Sequence, residues 1–393
     1  MYRKTYAVID SEKLKRNTKE IIKKYSKYNY YIAVVKNNAY HHGIKIVNDL
    51  IEAGINYLAV SSLEEALDIR KINNEIPILV LEPISPEFID DCQMNTITLM
   101  IENLEELKKL NEKKLTYPQK VHLKIDSGMN RLGFKERTEI KEAVKIIETN
   151  EKIVLEGLFT HFATSGRNDN YYDQQLATFK ELTKDMHLKD IPIIHIDRSL
   201  TFVSHKKPSF VTGVRLGIVL FGFNGSIKPT KNIKGKLSNL KRQFVLKRNH
   251  ISESILENHL KLETAFSLYS TVMSIRTVKK GEIVGYNGFY KAKKEERVAT
   301  LPIGYADGVT KEFQNVAING KKYKIINDAM DMLSVLVDES VKIDDKVEIF
   351  GETISIKEVT TKLNINSYHL FNLISNRVPR IHKDKEKEIE IKY

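Results

Sequence analysis

The chain repeats one pattern of apolar and polar positions from residue 30 to residue 222: a short continuous apolar run, a turn, and an amphipathic stretch. Runs that are apolar without alternation are typical of strands buried on both faces. Between them, the spacing of Leu63, Ala66 and Arg70 predicts a helix, begun by Ser61 or Ser62. The apolar runs are 31–35, 57–60, 76–81, 97–100, 121–125, 156–159, 193–196 and 214–220.

Eight strands alternating with helices predict an α/β fold, a (β/α)8 TIM barrel rather than an open doubly wound sheet. The fourth run, 97–100, carries the weakest signal. A miscount by one strand would reopen the doubly wound alternative.

After about residue 262 the period changes to two, which predicts a second, mostly antiparallel β domain. The run 269–278 alternates, and Asn319-Gly320 predicts a type I′ hairpin turn within 316–325. A charged run, 383–388, leads into a predicted edge strand at 389–392. We therefore predict a barrel over residues 1–228, a basic linker or insertion over 229–260, and a C-terminal β domain over 261–393.

The net charge of +12 is unevenly distributed along the chain. Between Ser226 and Lys261 there are nine Lys or Arg and two Glu, so this stretch supplies +7 of the total. The rest is close to balanced, which argues against a nucleic-acid-binding protein. A solvated basic segment is the preferred interpretation, and an acidic partner is the alternative.

Composition points to a protein of the cytoplasm. No window holds eighteen consecutive apolar residues, and the stretch that begins at Met1 has no apolar signal-peptide core, so we expect no membrane segment. The single cysteine, Cys92, suits a reducing compartment.

Polar residues follow or end five of the predicted strands. Chemistry in such a barrel sits at the C-terminal ends of the strands. Each residue taken alone has an ordinary explanation, such as a solvated strand end or a satisfied core histidine, but five sites on one rim favour an active site. The residues are Lys36, Lys124 with Arg131, His161, Arg198 with Ser199, and Arg215 before Gly217.

These residues limit the chemistry. The sequence has no phosphate loop of the Gly-x-x-x-x-Gly-Lys-Ser/Thr type, no strand-borne Gly-x-Gly-x-x-Gly, and no zinc-ligand spacing. A buried lysine with rim arginines, hydroxyls and glycine backbone suits a phosphorylated aldehyde cofactor, because burial lowers the lysine pKa and so favours an imine.

Several motifs resemble the alanine racemase family in family order, from about residue 5 to 382. The segment 33–43, AVVKNNAYHHG, looks like the family's lysine signature, which usually reads AVVKADAYGHG. Any one motif would be weak evidence, whereas together they are specific. The others are LKIDSGMNRLGF at 123–134, THFAT at 160–164, VRLGIVLFG at 214–222, GYADG at 304–308, Met330-Asp331 and RVPR at 377–380.

The resemblance implies a pyridoxal 5′-phosphate (PLP) isomerase with specific residue roles. Lys36 would hold the cofactor as an imine and act as one catalytic base, and Tyr286 of a second protomer would be the opposite base. Arg215 would face the pyridine nitrogen of the cofactor, and His161 would lie near the pyridine ring. Arg131 would bind the substrate carboxylate. Phosphate would be bound by Tyr40, Ser199, Gly217 and Ile218, and the substrate pocket would be completed by Tyr305 and Met330.

The sequence departs from the family pattern at the edges of the site. Arg198 stands where asparagine is usual, His41 replaces a glycine, Ala329 stands where cysteine is common, and Asn376 replaces a phosphate-binding tyrosine. Lys124 matches a lysine that is often carbamylated, which would turn a like-charged neighbour of Arg131 into a partner.

The implied function is racemisation of L-alanine to D-alanine for peptidoglycan precursors, by a homodimer with shared sites. The alternatives are a serine or broader-specificity racemase and a decarboxylase of the same two-domain type. That decarboxylase would need an acidic residue where Arg215 stands. The non-enzymatic alternative, a PLP-binding carrier protein, would lack the β domain. No metal, nucleic acid or membrane is implied.

Overall fold

The computed structural model describes residues 3–164, 170–223, 244, 260–384 and 388–391. The chain forms two compact units. We call Leu14–Asn37 with Ile44–Glu263 the barrel unit, and Met1–Lys13, Asn38–Gly43 and Thr264–Tyr393 the β unit. The β unit thus includes two N-terminal segments that lie within the predicted barrel range of 1–228. Most of the predicted linker, 229–260, lies outside the described residues.

Eight parallel strands close into a barrel, which confirms the predicted fold class. The last strand pairs with the first, where Arg215 lies opposite Ile32. All eight predicted runs coincide with strands, including the weak fourth one. The strands are β2 (Tyr30–Val34), β3 (Tyr57–Val60), β4 (Ile78–Val80), β5 (Ile97–Ile101), β6 (Gln119–Lys124), β7 (Ile153–Phe159), β8 (Ile193–Arg198) and β9 (Gly213–Leu216).

Helices follow the strands, and their apolar faces are buried. In the helix after β3, Ala66 and Ile69 are fully buried, and Glu65 in its first turn accepts a 2.8 Å hydrogen bond from the backbone N–H of Ser61, which precedes the N-cap Ser62. The helices described up to β9 are α1 (Ser11–Lys24), α2 (Lys36–Tyr40), α3 (Ile46–Glu52), α4 (Leu63–Arg70), α5 (Ile89–Met94), α6 (Leu104–Asn111), α7 (Arg137–Thr149), α8 (Tyr171–Leu182) and α9 (Ser199–Phe202). No helix in the described ranges is long and apolar enough to cross a membrane.

The β unit is built on a ten-stranded sheet to which the N-terminal strand β1 (Tyr6–Asp10) belongs. All its pairs are antiparallel except β1 with β19. The remaining elements are β10 (Phe266–Thr271), β11 (Ser274–Val278), β12 (Ile283–Val284), β13 (Tyr290–Lys291), β14 (Glu296–Leu301), β15 (Asn315–Ile318), β16 (Lys321–Asp328), β17 (Leu333–Val337), β18 (Lys346–Phe350), α10 (Ile356–Leu363), α11 (Ser367–Leu373), β19 (Arg380–Lys383) and β20 (Glu388–Ile391).

Two sequence expectations for the β unit are met, and one is not. Asn319 and Gly320 have φ values of 51° and 76°, as a type I′ turn requires, and β20 is the edge strand. The alternating run 269–278 is two strands rather than one. The chain changes partner there, because Val272 N donates to Asp345 O and Met273 N donates to Thr300 O.

Candidate active site

Lys36 begins a left-handed helical turn. The five residues that follow it, Asn37 to His41, all have φ between 51° and 62°. A left-handed turn of non-glycine residues costs roughly 1–2 kcal/mol per residue, so it persists only where surrounding contacts hold it. The Lys36 side chain is exposed in the single chain. The expectation of a buried lysine is therefore wrong for the chain by itself.

Contacts within the β unit hold the far end of this turn. The Arg380 side chain is fully buried and donates from Nε to His41 O at 3.0 Å and from Nη2 to Ile374 O at 2.8 Å. His41 Nδ1 lies 2.9 Å from the same Ile374 oxygen, which makes it the donor. The buried Tyr40 ring packs edge-on against Tyr368 at 5.1 Å. These bonds offset the positive φ of His41, a position at which the family pattern has glycine.

Arg215 is buried in the barrel, and its two terminal nitrogens donate to backbone carbonyls and an imidazole. Nη1 donates to His195 Nδ1 at 2.6 Å and to His195 O at 2.5 Å. Nη2 donates to Thr160 O at 2.6 Å and to Ile196 O at 3.1 Å. Burial lowers the pKa of Arg215 to about 10, so the guanidinium stays charged at neutral pH.

Three further cations surround the end of the barrel that holds Arg215. Burial, followed by repulsion from Arg131 and Arg215, lowers the pKa of Lys124 to about 8. Burial also holds the pKa of His161 well below its usual value, helped by Arg215, Arg198, Arg131 and Lys124. We call Lys124, Arg131, Arg198 and Arg215 the cationic mouth. A neutral histidine among four cations suits a ligand with several negative charges.

Ser199 and Gly217 are brought together on neighbouring strand ends. Gly217 N donates to Ser199 Oγ at 2.9 Å, and both residues are buried. Ile218 follows and is 4% exposed. Arg198, which precedes Ser199, reaches the Phe162 carbonyl with Nε at 3.4 Å. Its substitution for asparagine thus changes the cationic mouth as well as the end of β8.

Tyr286 is presented by an irregular turn of the β unit. Gly285, Asn287 and Gly288 have φ values of 78°, 59° and 66°. A Cβ on Gly285 would lie 2.2 Å from the Asn327 side chain, so the turn approaches β16 closely. The Tyr286 side chain is 72% exposed. The turn therefore leaves the phenol ring of Tyr286 exposed instead of packing it into the core of the β unit.

Tyr305 and Met330 are joined through their backbones in the β unit. Tyr305 N donates to Ala329 O at 3.1 Å, and Ala306 N donates to Met330 O at 3.0 Å. A Cβ on Gly304 would lie 2.2 Å from Ala329 O, so glycine is required at this approach. Both side chains are about half exposed.

The structure thus groups the sequence-derived candidates into separate clusters. Lys124, Arg131, His161 and Arg215 interact in the barrel unit, whereas Tyr305 and Met330 interact in the β unit. Asn376 is exposed. Sequence reasoning missed the buried polar residues His122, Glu156 and His195, although a single histidine inside each of two apolar strands was a usable signal.

Comparison with known proteins covers both units. The models of "Alanine racemase, N-terminal domain" and "Alanine racemase, C-terminal domain" match residues 9–225 and 265–382. Alanine racemase 1 of Bacillus subtilis (strain 168) is 31% identical over 400 residues, covering 100% of this chain and 96% of that protein.

Solved structures agree with this similarity. Alanine racemase of Bacillus anthracis with bound L-Ala-P has a TM-score of 0.84 at 32% identity, covering 100% of this chain and 98% of that one. A histidine racemase of Leuconostoc mesenteroides subsp. sake has a TM-score of 0.82 at 26% identity, with 98% and 99% covered. The similarity therefore extends well beyond a barrel alone.

Proposed function

Because the chain belongs to the alanine racemase family, whose members are PLP-dependent isomerases, we propose that it interconverts L- and D-alanine with Lys36 and Tyr286 as opposing bases. The observation that carries the proposal is the cationic mouth around a half-buried His161 whose pKa is held well below its usual value by burial and by these cations. The expected cofactor carries a phosphate, and its substrate carries a carboxylate. Both anions need fixed positive charge at the end of the barrel.

The residues present fit PLP. The cationic mouth supplies the charge, Ser199 and Gly217 meet at 2.9 Å on neighbouring strand ends, and Lys36 offers an exposed amine. In the proposed site, Lys36 holds the cofactor covalently, with Tyr40, Ser199, Gly217 and Ile218 at its phosphate. When bound, PLP supplies an electron sink that makes the α-proton of an amino acid acidic.

The two bases would act on opposite sides of the substrate. Lys36 holds or releases a proton at Nζ, and Tyr286 does so at its phenolic oxygen. A proton taken by one group and returned by the other inverts the configuration, and each positioned base is typically worth about 10²–10⁴-fold in rate. Arg131 would orient the substrate through its carboxylate, and His161 would orient Tyr286.

Arg215 distinguishes this function from the decarboxylase alternative. A guanidinium only donates hydrogen bonds and does not give up its proton at neutral pH. Opposite a ring nitrogen it would leave that nitrogen without a proton, which weakens the electron sink and suppresses side reactions. The carrier-protein alternative is disfavoured because the family match includes residues 265–382.

The sites would be shared between two copies of the chain. Tyr286, Tyr305 and Met330 are all at least half exposed in the β unit, as expected for groups that complete a site on a partner. In a two-fold dimer each site would use one barrel unit and the partner's β unit.

Lys124 is the candidate for carbamylation. A pKa near 8 leaves a substantial neutral amine fraction at mildly alkaline pH, and a neutral amine is what adds to carbon dioxide. The carbamate would carry a negative charge beside Arg131. Intact mass measurement under bicarbonate, compared with a Lys124→Met variant, tests this modification.

The substrate test is a panel of L-amino acids incubated with the purified protein and resolved by chiral chromatography. We expect alanine to be converted faster than serine, and both far faster than lysine or arginine, because Tyr286 and Tyr305 would bound a small pocket. Histidine belongs in the panel because a structural neighbour is a histidine racemase. Faster conversion of histidine or lysine than of alanine would contradict the proposal and point to Arg198.

The cellular role would be supply of D-alanine for peptidoglycan. Growth of a D-alanine auxotroph expressing this chain tests the role, with a Lys36→Ala variant as the control. Location in the cytoplasm stays a prediction from the sequence.

A further inference from the structure

A chain of hydrogen bonds runs through the barrel interior from Arg215 to Glu156. Arg215 Nη1 donates to His195 Nδ1 at 2.6 Å. His195 Nε2 lies 2.9 Å from His122 Nδ1, and His122 Nε2 lies 3.3 Å from Glu156 Oε2. The arginine and both histidines are at most 3% exposed, and Glu156 is 8% exposed.

The groups at the two ends of this hydrogen-bond chain, Arg215 and Glu156, permit only one arrangement of protons on the two histidines. A guanidinium can only donate, so His195 Nδ1 must accept, and the proton of a neutral His195 is on Nε2. His195 then donates to His122 Nδ1, which places the His122 proton on Nε2. That proton points at Glu156, which as a carboxylate can only accept. Both ends therefore demand the same tautomer of both histidines.

Both imidazoles are held neutral by their surroundings. Burial, then Arg215 and His122, hold the pKa of His195 well below its usual value. Burial also lowers the pKa of His122, against the opposing effect of Glu156. Each ring must be neutral, because an imidazolium carries a proton on both nitrogens. It therefore cannot accept the hydrogen bond donated by the preceding group.

The barrel is shaped around these rings. On β7, a Cβ at Gly157 would lie 2.4 Å from the His122 ring, so only glycine leaves room for it. The Phe159 ring stacks on His195 at 4.7 Å with an interplanar angle of 9°. Gly157 and Phe159 therefore leave a space that fits the two imidazole rings, which do not merely fill a packing defect in the core.

Glu156 is stabilised as an anion at the other end. It accepts hydrogen bonds from Tyr57 at 2.6 Å, from Thr98 at 3.2 Å and from Lys120 at 2.6 Å. Burial alone would raise its pKa, but the donors His122, Lys120 and Tyr57 together hold it at about 2. The carboxylate is therefore a permanent acceptor at neutral pH.

We propose that Glu156 is a positioning residue for Arg215, acting through His122 and His195 by fixing the tautomer of both imidazoles. The His195 Nδ1 lone pair then stays aimed at Arg215 and holds the guanidinium in place. The catalytic consequence rests on the proposed role of Arg215 toward the cofactor, whereas the tautomers do not.

The first test measures the tautomers in the full-length holoenzyme labelled with ¹⁵N-histidine. We expect His122 and His195 to be neutral, with the one-bond N–H coupling on Nε2 in both; His195→Gln and His122→Gln variants assign the signals. A proton on Nδ1 of His195, or an imidazolium at either position, would overturn the proposal without any variant of Glu156 having to fold.

The second test compares three variants. Glu156→Leu leaves the His122 Nε2–H without an acceptor, and we expect shifted ring signals of both histidines and a kcat about tenfold lower, equivalent to about 1.4 kcal/mol, with KM little changed. Glu156→Gln restores an acceptor oxygen and should recover most of both losses. Gly157→Ala, which changes no polar group, should displace the His122 ring and reproduce the Glu156→Leu effects.

Tyr57→Phe is the matched control, because it removes a donor to the same carboxylate but leaves the histidine chain intact. It should lower thermal stability while ring signals and kcat stay near those of the unchanged protein. Unchanged signals and kcat in Glu156→Leu, with only stability lowered, would show a structural role and overturn the proposal. Shifted signals with unchanged kcat would support the hydrogen-bond chain but contradict the proposed role of Arg215.

Discussion

The barrel unit and the β unit hold most of their candidate residues in opposite ways, with the exposed Lys36 and the buried Tyr40 as the exceptions. In the barrel, Arg215, Lys124 and Ser199 are buried, and hydrogen bonds hold Arg215 and Ser199 in place. In the β unit, Tyr286 and Tyr305 are exposed, and backbone geometry sets their positions. Buried polar groups contribute to stability as well as to chemistry. Exposed groups on a turn are available to another molecule at little cost in stability.

The largest effect is expected when the proposed base of the barrel unit, Lys36, is removed from one chain and that of the β unit, Tyr286, from another. Lys36→Ala and Tyr286→Phe homodimers should each lose about 10²–10⁴-fold in kcat, since every site lacks one base. Mixing the two variants should form hybrids with one intact site. Because about half the dimers are hybrid, activity should return to roughly a quarter of that of the unchanged protein.

The control for this experiment is subunit exchange itself, followed with differently tagged chains. Each variant must also bind PLP and dimerise. No recovered activity under proven exchange would rule out shared sites.

The second-largest difference between the two units is expected in the free energy of unfolding of variants. Arg215→Met leaves the Thr160 and Ile196 carbonyls and His195 Nδ1 without their donor, and we expect the free energy of unfolding to fall by about 3 kcal/mol. Tyr286→Phe should change it by less than about 0.5 kcal/mol, because the side chain is largely exposed. Urea denaturation measures the free energy of unfolding of both variants. Equal losses in the two would contradict the difference proposed between the barrel unit and the β unit.

The barrel network also predicts a pH dependence. The pKa of Glu156 in the folded chain, about 2, lies below its ordinary value, so its stabilising contribution is present at neutral pH and is lost as pH falls from about 5 toward 2. The stability advantage over Glu156→Gln should therefore shrink by about 3 kcal/mol across that range. Denaturation curves at several pH values test this, and an advantage that grew on acidification would contradict the assignment.

The smallest effect concerns the turn that presents Tyr286. Gly285 and Gly320 have nearly equal φ values, 78° and 76°, but only Gly285 has a side chain in the way of a Cβ. Backbone strain alone should cost each Gly→Ala variant about 1 kcal/mol in the free energy of unfolding. Gly285→Ala should lose more than this because its Cβ also meets Asn327, and it should lower kcat, whereas Gly320→Ala should leave kcat unchanged. Equal losses of stability and activity would mean that the close approach to Asn327 has no consequence.

Local patterns predicted most of the barrel but little of its interior chemistry. The apolar runs and their spacing identified all eight strands, because parallel strands buried on both faces are apolar throughout. The hydrogen bond between His122 and His195 was not predicted, because it joins β6 to β8, which are far apart in sequence.

The β unit shows the same division. Asn319-Gly320 predicted its turn because the signal is contained in two residues. The break at Val272 was not predicted, because it arises from a change of pairing partner between β18 and β14.

The sequence by itself determined the strand count, the change of period near residue 262, and the family motifs that name the candidate residues. Each of these depends on neighbouring residues along the chain. Only the tertiary structure decided that Lys36 leads into a left-handed turn, that β1 joins the β unit, and that Arg215 and Glu156 fix the tautomers between them. Those features depend on contacts between residues far apart in sequence, and such contacts leave no local pattern.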